Sequence, residues 1–313
     1  MFCEWLFFVI KCCIVYRLSR TLWVIVWSLF VYRIVPFFWK PNFDQYTKRW
    51  VAVNGCTDGI GRAYCLELAK YGFRKYLLIG RNRQKLNDLM TLLHEYYRDC
   101  QFELLLFDYN SDDYGLLRHF MDQYDIGFFV NCIGVGPRQL LKFADQLSLN
   151  RELMKVNVTG TMESLQAVIP TMVKHGGGQI VVMSSSQAYG PVPRMSTYCA
   201  SKVAISFLSE CIGREYSADG IKVQRVMPGL VATKMSQYDS AGWFVVTPET
   251  LVTESIRTIG LANECGGCLN HEMQILLRHI FPWWILKYVI LPIYMHHRVR
   301  LDKLEKARTE KSF

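Results

Sequence analysis

Six short runs of β-branched and aromatic residues alternate with helix-length stretches over the middle of this 313-residue chain. Each run is followed by a turn, and most runs are too continuously apolar to keep one face in water. Strands that are buried on both faces are typical of parallel sheets with helices on each side. The pattern therefore predicts a doubly wound α/β domain, with strands at Trp50–Asn54, Tyr76–Gly80, Phe102–Phe107, Ile126–Cys132, Gln179–Ser184 and Lys222–Met227.

Composition narrows the classes of protein to which the chain can belong. Apolar residues make up 51% of the chain and charged residues only 20%, so it can bury a sizeable core and is not a disordered protein. The 11 cysteines are too sparse and irregular for a disulfide scaffold. Cys265 and Cys268 lack a second Cys or His pair at zinc-ligand spacing, so we expect free thiols and no metal site.

The net charge of +9 lies mostly at the two ends of the chain. Residues 1–50 contain seven basic and two acidic side chains, residues 296–313 contain six and three, and the rest is nearly balanced. A nucleic-acid cleft would place its basic excess on the folded body, so a nucleic-acid partner is not expected. No internal repeat or Gly/Ser-rich linker divides that body, which we assign to one domain over residues 46–272.

The N-terminal segment, residues 1–45, is rich in apolar and aromatic side chains. Its run Thr21–Trp39 would cover about 28 Å as a helix, roughly one hydrocarbon core, and contains three tryptophans near basic residues. We predict a membrane anchor rather than an amphipathic helix packed on the domain, and no cleaved signal peptide. Whether the anchor spans the bilayer or lies in its interface stays open, because Lys11 and Arg33 interrupt the apolar runs.

A second apolar stretch, Met273–Met295, begins the C-terminal segment, residues 273–313. Pro282 and Pro292 break this stretch, so a straight transmembrane helix is not expected. Two alternatives stay open, namely a lid over an apolar substrate and an element bound to a membrane surface. The Lys and Arg side chains after His296 would favour the anionic cytoplasmic face of a membrane.

A glycine-rich turn follows the first predicted strand. It reads Asn54-Gly-Cys-Thr-Asp-Gly-Ile-Gly61, and a helix is predicted from Arg62 onward. Glycines at a strand-to-helix turn let the backbone approach a pyrophosphate and direct the helix N-terminus at it. We favour this Rossmann-like dinucleotide site over a tight turn without a ligand, with candidate cofactor contacts at Gly55, Thr57, Asp58, Gly59, Ile60 and Gly61.

Arg81, directly after the second predicted strand, indicates which dinucleotide is bound. An acidic residue there would bind the adenosine ribose hydroxyls of NAD, whereas an Arg can pair with a 2′-phosphate. With Arg83 nearby, we predict NADP(H) as the cofactor rather than a solvated Arg81 at a helix start. Asp108, after the third strand, would either contact the adenine amine or cap a helix, and both alternatives stay open.

Three residues form a candidate catalytic group: Ser185, Tyr198 and Lys202. Tyr198 and Lys202 are four residues apart and therefore share one face of a helix. A nearby ammonium favours the phenolate of a tyrosine, whose ordinary pKa is about 10, and makes it a better proton carrier. Ser185 directly follows the predicted strand Gln179–Ser184, and from this strand end its hydroxyl can reach the phenol. The Tyr–Lys spacing alone is common by chance, but the glycine turn and the serine make chance a poor explanation.

These motifs resemble the short-chain dehydrogenase/reductases over roughly residues 48–270. Further matches to that family lie at Asn131-Cys-Ile-Gly134, Asn157 and Pro228-Gly-Leu-Val-Ala-Thr233. The apolar N-terminus, Val53–Gly61, Val192-Pro193 and Val231–Met235 are similar to one membrane-bound branch. That branch contains the 17β-hydroxysteroid dehydrogenases of types 3 and 12, the latter also the very-long-chain 3-oxoacyl-CoA reductase, and hydroxysteroid dehydrogenase-like proteins, some of them inactive.

The resemblance implies a role for each of these residues. Tyr198 would donate a proton to the substrate carbonyl as hydride arrives from the nicotinamide, and Ser185 would orient that carbonyl. Lys202 would lower the Tyr198 pKa and hold the nicotinamide ribose, while Asn157 would anchor the water chain that resupplies the proton. The remaining implied cofactor contacts are Asn131 and Gly134 on the adenosine side, Val231 and Thr233 at the nicotinamide carboxamide, and Pro228 and Gly229.

Two residues depart from the family's pattern. Asn54 stands where Thr is usual, and Cys132 stands where a second Asn is usual. Both positions frame the cofactor and neither carries the proton. The resemblance therefore implies an altered cofactor affinity with intact chemistry.

The expected function is the NADPH-dependent reduction of an apolar carbonyl substrate, either a fatty 3-oxoacyl-CoA or a keto-steroid. The expected location is the endoplasmic reticulum membrane, with the catalytic domain in the cytoplasm, and a homodimer is compatible with this interpretation. A non-catalytic membrane protein that keeps the fold for cofactor or partner binding is the alternative from another class. A soluble NAD-linked sugar or alcohol dehydrogenase is a third alternative, weakened by the apolar ends and by Arg81.

Overall fold

A central parallel sheet organises the chain. A computed structural model describes residues 2–137, 139–281, 284–288, 292, 293, 295, 296, 299, 300 and 303. In this described part the sheet has seven strands: β1 (Trp50–Asn54), β2 (Lys75–Gly80), β3 (Gln101–Leu106), β4 (Ile126–Asn131), β5 (Gly178–Met183), β6 (Ile221–Val226) and β9 (Glu264–Cys265). Two further strands, β7 (Leu230–Val231) and β8 (Val245–Val246), pair with each other.

The strand order across the sheet is β3-β2-β1-β4-β5-β6-β9, and every neighbouring pair is parallel. The chain builds outward from β1 in one direction, then returns to β4 and builds in the other. The order therefore reverses between β1 and β4, and a crevice at the carboxyl ends of these two strands is where open α/β sheets bind ligands.

Alternate residues of the central strands pack into two different cores. In β1, Val51 and Val53 belong to the core on one face, and Ala52 belongs to the core on the other. The same alternation holds in β2 and β4. Because successive side chains point to opposite faces of a strand, both faces need apolar residues. The predicted doubly wound sheet, covered on both faces, is confirmed.

Helices cover both faces of this sheet. In the described part they are α1 (Phe2–Leu29), α2 (Asp44–Thr47), α3 (Gly59–Lys70), α4 (Arg83–Tyr96), α5 (Tyr114–Asp122), α6 (Leu147–Leu153), α7 (Gly160–Lys174), α8 (Ser196–Glu215), α9 (Pro248–Ile256) and α10 (Leu269–Ile280). Side chains of α3, α4 and α9 pack into one core, and those of α5 and α7 pack into the other.

Helix α3 begins three residues before the predicted start at Arg62. The Asp58 carboxylate accepts a hydrogen bond from the Gly59 backbone N–H at 3.0 Å and so caps the helix N-terminus. An aspartate in this position satisfies an otherwise unpaired donor of the first turn. The glycine turn and the first turn of α3 therefore overlap, which brings the helix N-terminus closer to β1 than the sequence predicted.

The 28-residue helix α1 exposes most of its large apolar side chains, including Trp5 at 72% and Trp23 at 65%. Among the helices that the structure describes, none is both long enough and apolar enough to cross a membrane. After α1 the chain packs on the domain, with Val31, Tyr32 and Val35 buried.

The two predicted domain boundaries both fall inside helices. The boundary at 45/46 lies within α2, and Phe43, just before it, contacts the rings of Phe73 and Phe128 in the core. The boundary at 272/273 lies within α10, which contains the first eight residues of the apolar stretch Met273–Met295. Pro282 and residues 304–313 of the predicted C-terminal segment lie outside the described residues.

Candidate active site

A cavity of about 720 Å³ opens at the carboxyl ends of the parallel strands. Its wall contains residues that follow β1, β2, β3, β4, β5 and β6, so the crevice lies where the strand order reverses. Of the predicted site residues, those in the wall are Gly55, Thr57, Asp58, Gly59, Ile60, Gly61, Arg81, Asp108, Gly134, Ser185, Tyr198, Lys202, Pro228, Gly229, Val231 and Thr233. Asn131 and Asn157 lie outside it.

The glycine turn leaves a backbone-lined space beside the N-terminus of α3. Gly55 has a φ of +63°, and a Cβ atom on it would lie 2.7 Å from the Cys132 carbonyl oxygen. A Cβ atom on Gly61 would lie 2.3 Å from the Gly55 carbonyl oxygen. Any side chain at these two positions would push the turn away from β4 or from α3. The turn can therefore accept a phosphate group close to its backbone and to the helix N-terminus.

Three charged side chains surround this space. The Asp58 carboxylate pairs with the Lys85 ammonium at 3.2 Å and with the Lys234 ammonium at 2.8 Å. Burial alone would raise the pKa of Asp58, but the hydrogen bonds and charges of Lys234 and Lys85 outweigh burial and lower that pKa. Both lysines line the cavity, and neither was among the predicted site residues. They add positive charge where the phosphates of a dinucleotide would lie.

Arg81 and Asp108 border the same half of the cavity. Arg81 is exposed at the end of β2, and within the described part of the chain no carboxylate pairs with its guanidinium. The Asp108 carboxylate accepts a hydrogen bond from the Asn110 backbone N–H at 3.0 Å, and Asp113 is the residue that caps α5. Asp108 therefore stabilises a turn and not a helix end, while still bordering the cavity.

The candidate catalytic group lies on the opposite side of the cavity. Helix α8 presents Tyr198 and Lys202 one turn apart, and the Lys202 Nζ atom lies 5.7 Å from the Tyr198 ring centroid. Lys202 donates a hydrogen bond to the Met183 carbonyl at 3.1 Å, which fixes it at the end of β5. Ser185 follows the same strand, and its hydroxyl lies near enough to the Tyr198 phenol to influence the pKa of that phenol. The end of β5 and helix α8 therefore bring Ser185, Tyr198 and Lys202 together in the cavity wall.

Burial controls the protonation of this group. It raises the pKa of Tyr198 to about 12, although the neighbouring Ser185 hydroxyl acts to lower that pKa. It also lowers the pKa of Lys202 to about 8. We expected Lys202 to lower the pKa of Tyr198. The net shift of that pKa is upward instead, because desolvation of the phenolate outweighs the effect of any nearby charge. At neutral pH the phenol is therefore protonated and can act as a proton donor.

Asn157 lies behind the cavity wall in a π-helical segment, Met154–Thr159, between α6 and α7. Its side-chain oxygen accepts from the Val135 backbone N–H at 2.8 Å, and its amide donates to the Val135 carbonyl at 3.1 Å and to Ser201 Oγ at 3.1 Å. Asn157 therefore holds the chain after β4 against α8. Its role in a water chain stays a prediction.

Asn131 lies inside the protein and not on the adenosine side of the cavity. Its side-chain oxygen accepts from Asn54 at 2.7 Å, and its amide donates to Thr161 Oγ1 at 2.9 Å. The Asn54 side-chain oxygen in turn accepts from the Cys132 backbone N–H at 2.8 Å. The unusual Asn54 therefore ties β1 to β4 below the cavity, whereas the unusual Cys132 lines the cavity itself.

The chain after β6 closes the cavity on its far side. The Pro228 carbonyl accepts from Ser185 Oγ at 3.4 Å and from the Ser186 backbone N–H at 2.9 Å. Thr233 lies next to the glycine turn, since a Cβ atom on Gly59 would be 2.9 Å from Thr233 Cγ2. The loop that begins at Pro228 therefore touches both the candidate catalytic serine and the candidate phosphate site.

A comparison with known families accounts for this combination of fold and site. The family model described as short chain dehydrogenase matches residues 49–242, well over half of the chain. The chain belongs to the short-chain dehydrogenase/reductase family. The matched region runs from the end of α2, through the glycine turn and the candidate catalytic group, to the loop before β8.

Relatives within the family agree with the predicted branch. The chain is 33% identical over 261 residues to a very-long-chain 3-oxoacyl-CoA reductase of Mus musculus, covering 82% of this chain and 83% of that protein. It is 32% identical over 245 residues to the inactive hydroxysteroid dehydrogenase-like protein 1 of Pongo abelii, covering 76% and 73% of the two chains. The predicted resemblance to the branch that contains both kinds of protein is confirmed.

A solved structure shares the fold. The short-chain dehydrogenase of Sphingobium yanoikuyae in complex with NADPH superimposes with a TM-score of 0.63 at 26% identity, covering 69% of this chain and 85% of that one.

Proposed function

We propose that this protein reduces a ketone on a lipid-like substrate with NADPH and that Tyr198 donates the proton. Membership of the family makes the chain an NADP-dependent oxidoreductase acting on CH–OH groups. The observation that supports the proposed chemistry most strongly is the meeting of Ser185, Tyr198 and Lys202 at one wall of the cavity. The glycine turn and its neighbouring cations lie at the other end of the same cavity.

The residues of the cavity fit NADP(H). Gly55 and Gly61 let the turn pack closely against β4 and α3, so that its backbone lines the cavity where the pyrophosphate would lie. The N-terminus of α3 together with Lys85 and Lys234 matches the charge of that group. The exposed Arg81, which pairs with no carboxylate among the residues that the structure describes, would hold the 2′-phosphate. When bound, the cofactor supplies the hydride that the substrate carbonyl carbon accepts.

The chain's own residues then handle the proton and the developing charge. Ser185 donates a hydrogen bond that orients the carbonyl oxygen, and the neutral phenol of Tyr198 transfers its proton to that oxygen as negative charge develops there. The Lys202 ammonium would stabilise the resulting phenolate and would hold the nicotinamide ribose. Burial favours this order of events, because it keeps Tyr198 protonated until the substrate oxygen becomes basic.

The substrate half of the cavity favours an apolar molecule. Val135, Pro137, Met195 and Met235 lie in the wall of the cavity. The names of the most similar relatives support a long-chain 3-oxoacyl-CoA as the first candidate, with a keto-steroid as the second. A catalytically silent protein, like the inactive relative, is the alternative function. The presence of both Tyr198 and Lys202 argues against that alternative.

We also propose that the protein is attached to the endoplasmic reticulum membrane with its catalytic domain in the cytoplasm. The exposed tryptophans of α1 and the basic excess at both chain ends support this location. Homodimer formation stays a prediction.

Assay of the detergent-purified full-length protein tests the proposed function. NADPH oxidation is followed with long-chain 3-oxoacyl-CoA thioesters and with 17-keto and 3-keto steroids, each alone. The proposal expects turnover of at least one class with NADPH and a clear preference over NADH. NADPH binding without turnover of any substrate would instead favour the catalytically silent alternative.

A further inference from the structure

Helix α10, from the apolar C-terminal stretch, reaches the turn that carries the candidate catalytic serine. The turn is a short 3₁₀ helix, Ser186–Tyr189, which begins directly after Ser185. The Arg278 guanidinium donates one hydrogen bond to the Ser186 carbonyl at 3.0 Å and another to the Gln187 side-chain oxygen at 3.2 Å. One planar group therefore holds two consecutive residues of the turn, a geometry that suits arginine and not lysine.

The residues held by Arg278 determine where the Ser185 hydroxyl points. The Ser185 Oγ atom accepts from the Gln187 backbone N–H at 3.3 Å and donates to the Pro228 carbonyl at 3.4 Å. Gln187 is itself part of the cavity wall. A displacement of Gln187 would therefore change the hydrogen bond that the Ser185 hydroxyl accepts, and it would also move one polar residue of the cavity wall.

Arg278 lies close to the tyrosine side of the site as well. Burial raises the pKa of the Cys199 thiol, and the positive charge of Arg278 is among the influences that oppose this rise. Cys199 is the neighbour of Tyr198 on α8. The guanidinium is therefore close enough to α8 for its charge to act on Cys199, although Arg278 is not in the cavity wall.

The helix that presents Arg278 is itself firmly held. Glu272, one and a half turns earlier on α10, accepts hydrogen bonds from the Tyr32 hydroxyl at 3.1 Å and from the Gly266 backbone N–H at 2.6 Å. The ring of His279 packs edge-on against Tyr189, with the ring centroids 5.3 Å apart. Arg278 can hold the turn in a defined position only if α10 is itself held in place, and these contacts hold α10 in place.

We propose that Arg278 is a positioning residue, which holds the segment Ser185–Gln187 so that the serine hydroxyl meets the substrate carbonyl. This inference rests on the proposed ketone reduction and deepens it. It assigns to α10 a part in the active site, instead of a role as a separate lid or membrane element alone. Since small displacements of a reacting group reduce rates steeply, loss of the two hydrogen bonds should reduce turnover more than binding.

The first test compares Arg278→Met, Arg278→Lys and the matched control Arg118→Met, which removes an ion pair with Glu163 between α5 and α7. With a 3-oxoacyl-CoA substrate, we expect Arg278→Met to lower kcat by about 10- to 100-fold. Its dissociation constant for NADPH should stay within about twofold of the original protein, which shows that the fold is intact. Added guanidinium ion at low millimolar concentration should restore part of the activity of Arg278→Met. It should not increase the activity of the control Arg118→Met.

Arg278→Lys separates charge from geometry. A lysine keeps the positive charge but cannot reach both acceptors with one planar group, so an intermediate kcat is expected. A kcat equal to that of the original protein, in either Arg278 variant, would overturn the proposal.

A second measurement does not depend on turnover. Hydrogen–deuterium exchange of the peptide that contains Ser186 and Ala188 should be faster in Arg278→Met than in the original protein and in Arg118→Met, because the turn loses the two hydrogen bonds from Arg278. Unchanged exchange there would contradict the positioning role. Lack of turnover in the original protein with every substrate would contradict the proposed function and would leave the exchange comparison to decide on Arg278.

Discussion

Burial raises the pKa of Tyr198 and lowers the pKa of Lys202, because it disfavours the charged form of each side chain. The phenol therefore keeps its proton up to a pH of about 12, and the ammonium loses its proton near a pH of about 8. Between neutral pH and that lower value the free protein holds a neutral tyrosine and a charged lysine. This is the combination that a reductase needs before the substrate arrives.

The lowered pKa of Lys202 predicts how cofactor capture depends on pH. The ammonium is present below a pH of about 8 and is lost as the pH rises through that value, so kcat/KM for NADPH should fall above it. In Lys202→Met the value should be low throughout and lack this step. A kcat/KM that stays constant to pH 10 in the original protein would contradict the assignment of the ammonium to the nicotinamide ribose.

Arg81 should determine the choice between the two dinucleotides. Removal of a charged hydrogen-bond donor from a phosphate costs about 1.5–3 kcal/mol, so Arg81→Ala should weaken NADPH binding by roughly ten- to a hundredfold. NADH lacks the 2′-phosphate, and its binding should change little. Fluorescence titration with both cofactors measures the two losses, and equal losses would remove the 2′-phosphate role of Arg81.

Some functional side chains could be found from the sequence and others could not. Ser185, Tyr198 and Lys202 were predicted because their spacing places them on one strand end and one helix face. Lys85 and Lys234 lie far apart in the chain and meet only at Asp58, so no local pattern identifies them. Asn131 matches the family motif, yet its side chain is hydrogen-bonded to Asn54 and Thr161 inside the protein and does not line the cavity.

At the scale of elements, the six longer strands were predicted to within one residue because each is a short run with apolar residues that is followed by a turn, even where side chains are exposed, as in β3. Strands β7, β8 and β9 have two residues each, too few to show any period, and were not predicted. They exist because neighbouring chain segments pair with them. The start of α3 was predicted too late, since the capping role of Asp58 depends on the turn geometry and not on apolar spacing.

The pair Asn54–Asn131 joins β1 to β4 at the point where the strand order reverses, and it should be important for stability. Asn54→Ala leaves the Asn131 oxygen and the Cys132 backbone N–H without this partner in a buried place. We expect a loss of about 1–3 kcal/mol in the free energy of unfolding, measured by urea denaturation. The exposed Gln84→Ala should change it by less than about 0.5 kcal/mol. Equal effects of the two substitutions would show that the buried pair has no special importance.

At the scale of the whole molecule, the nearly neutral α/β body carries the cavity, while the basic excess belongs to the two ends. The structure shows that residues outside both predicted domain boundaries pack against the α/β body. Phe43 before the predicted boundary belongs to the core, and Arg278 beyond the other boundary contacts the serine turn. Sequence composition could locate the apolar ends, but it could not show that parts of them complete the catalytic unit.

Two N-terminal deletions distinguish attachment from folding. Deletion of residues 2–29 removes α1 alone, and the protein should move from the microsomal pellet to the supernatant with its thermal transition largely unchanged. Deletion of residues 2–45 also removes the buried Phe43, so its melting temperature should fall, as expected when a core aromatic side chain is lost. Retention of the shorter deletion in the pellet would contradict α1 as the principal anchor.

Turnover of Tyr198→Phe tests the central claim most directly. The substitution removes one oxygen atom and leaves the ring, so NADPH binding should stay within about twofold of the original protein while ketone reduction is abolished. The same preparation provides both values, from fluorescence titration and from the steady-state rate with the best substrate of the panel. NADPH binding without turnover is the predicted result, and turnover equal to that of the original protein would contradict Tyr198 as the proton donor.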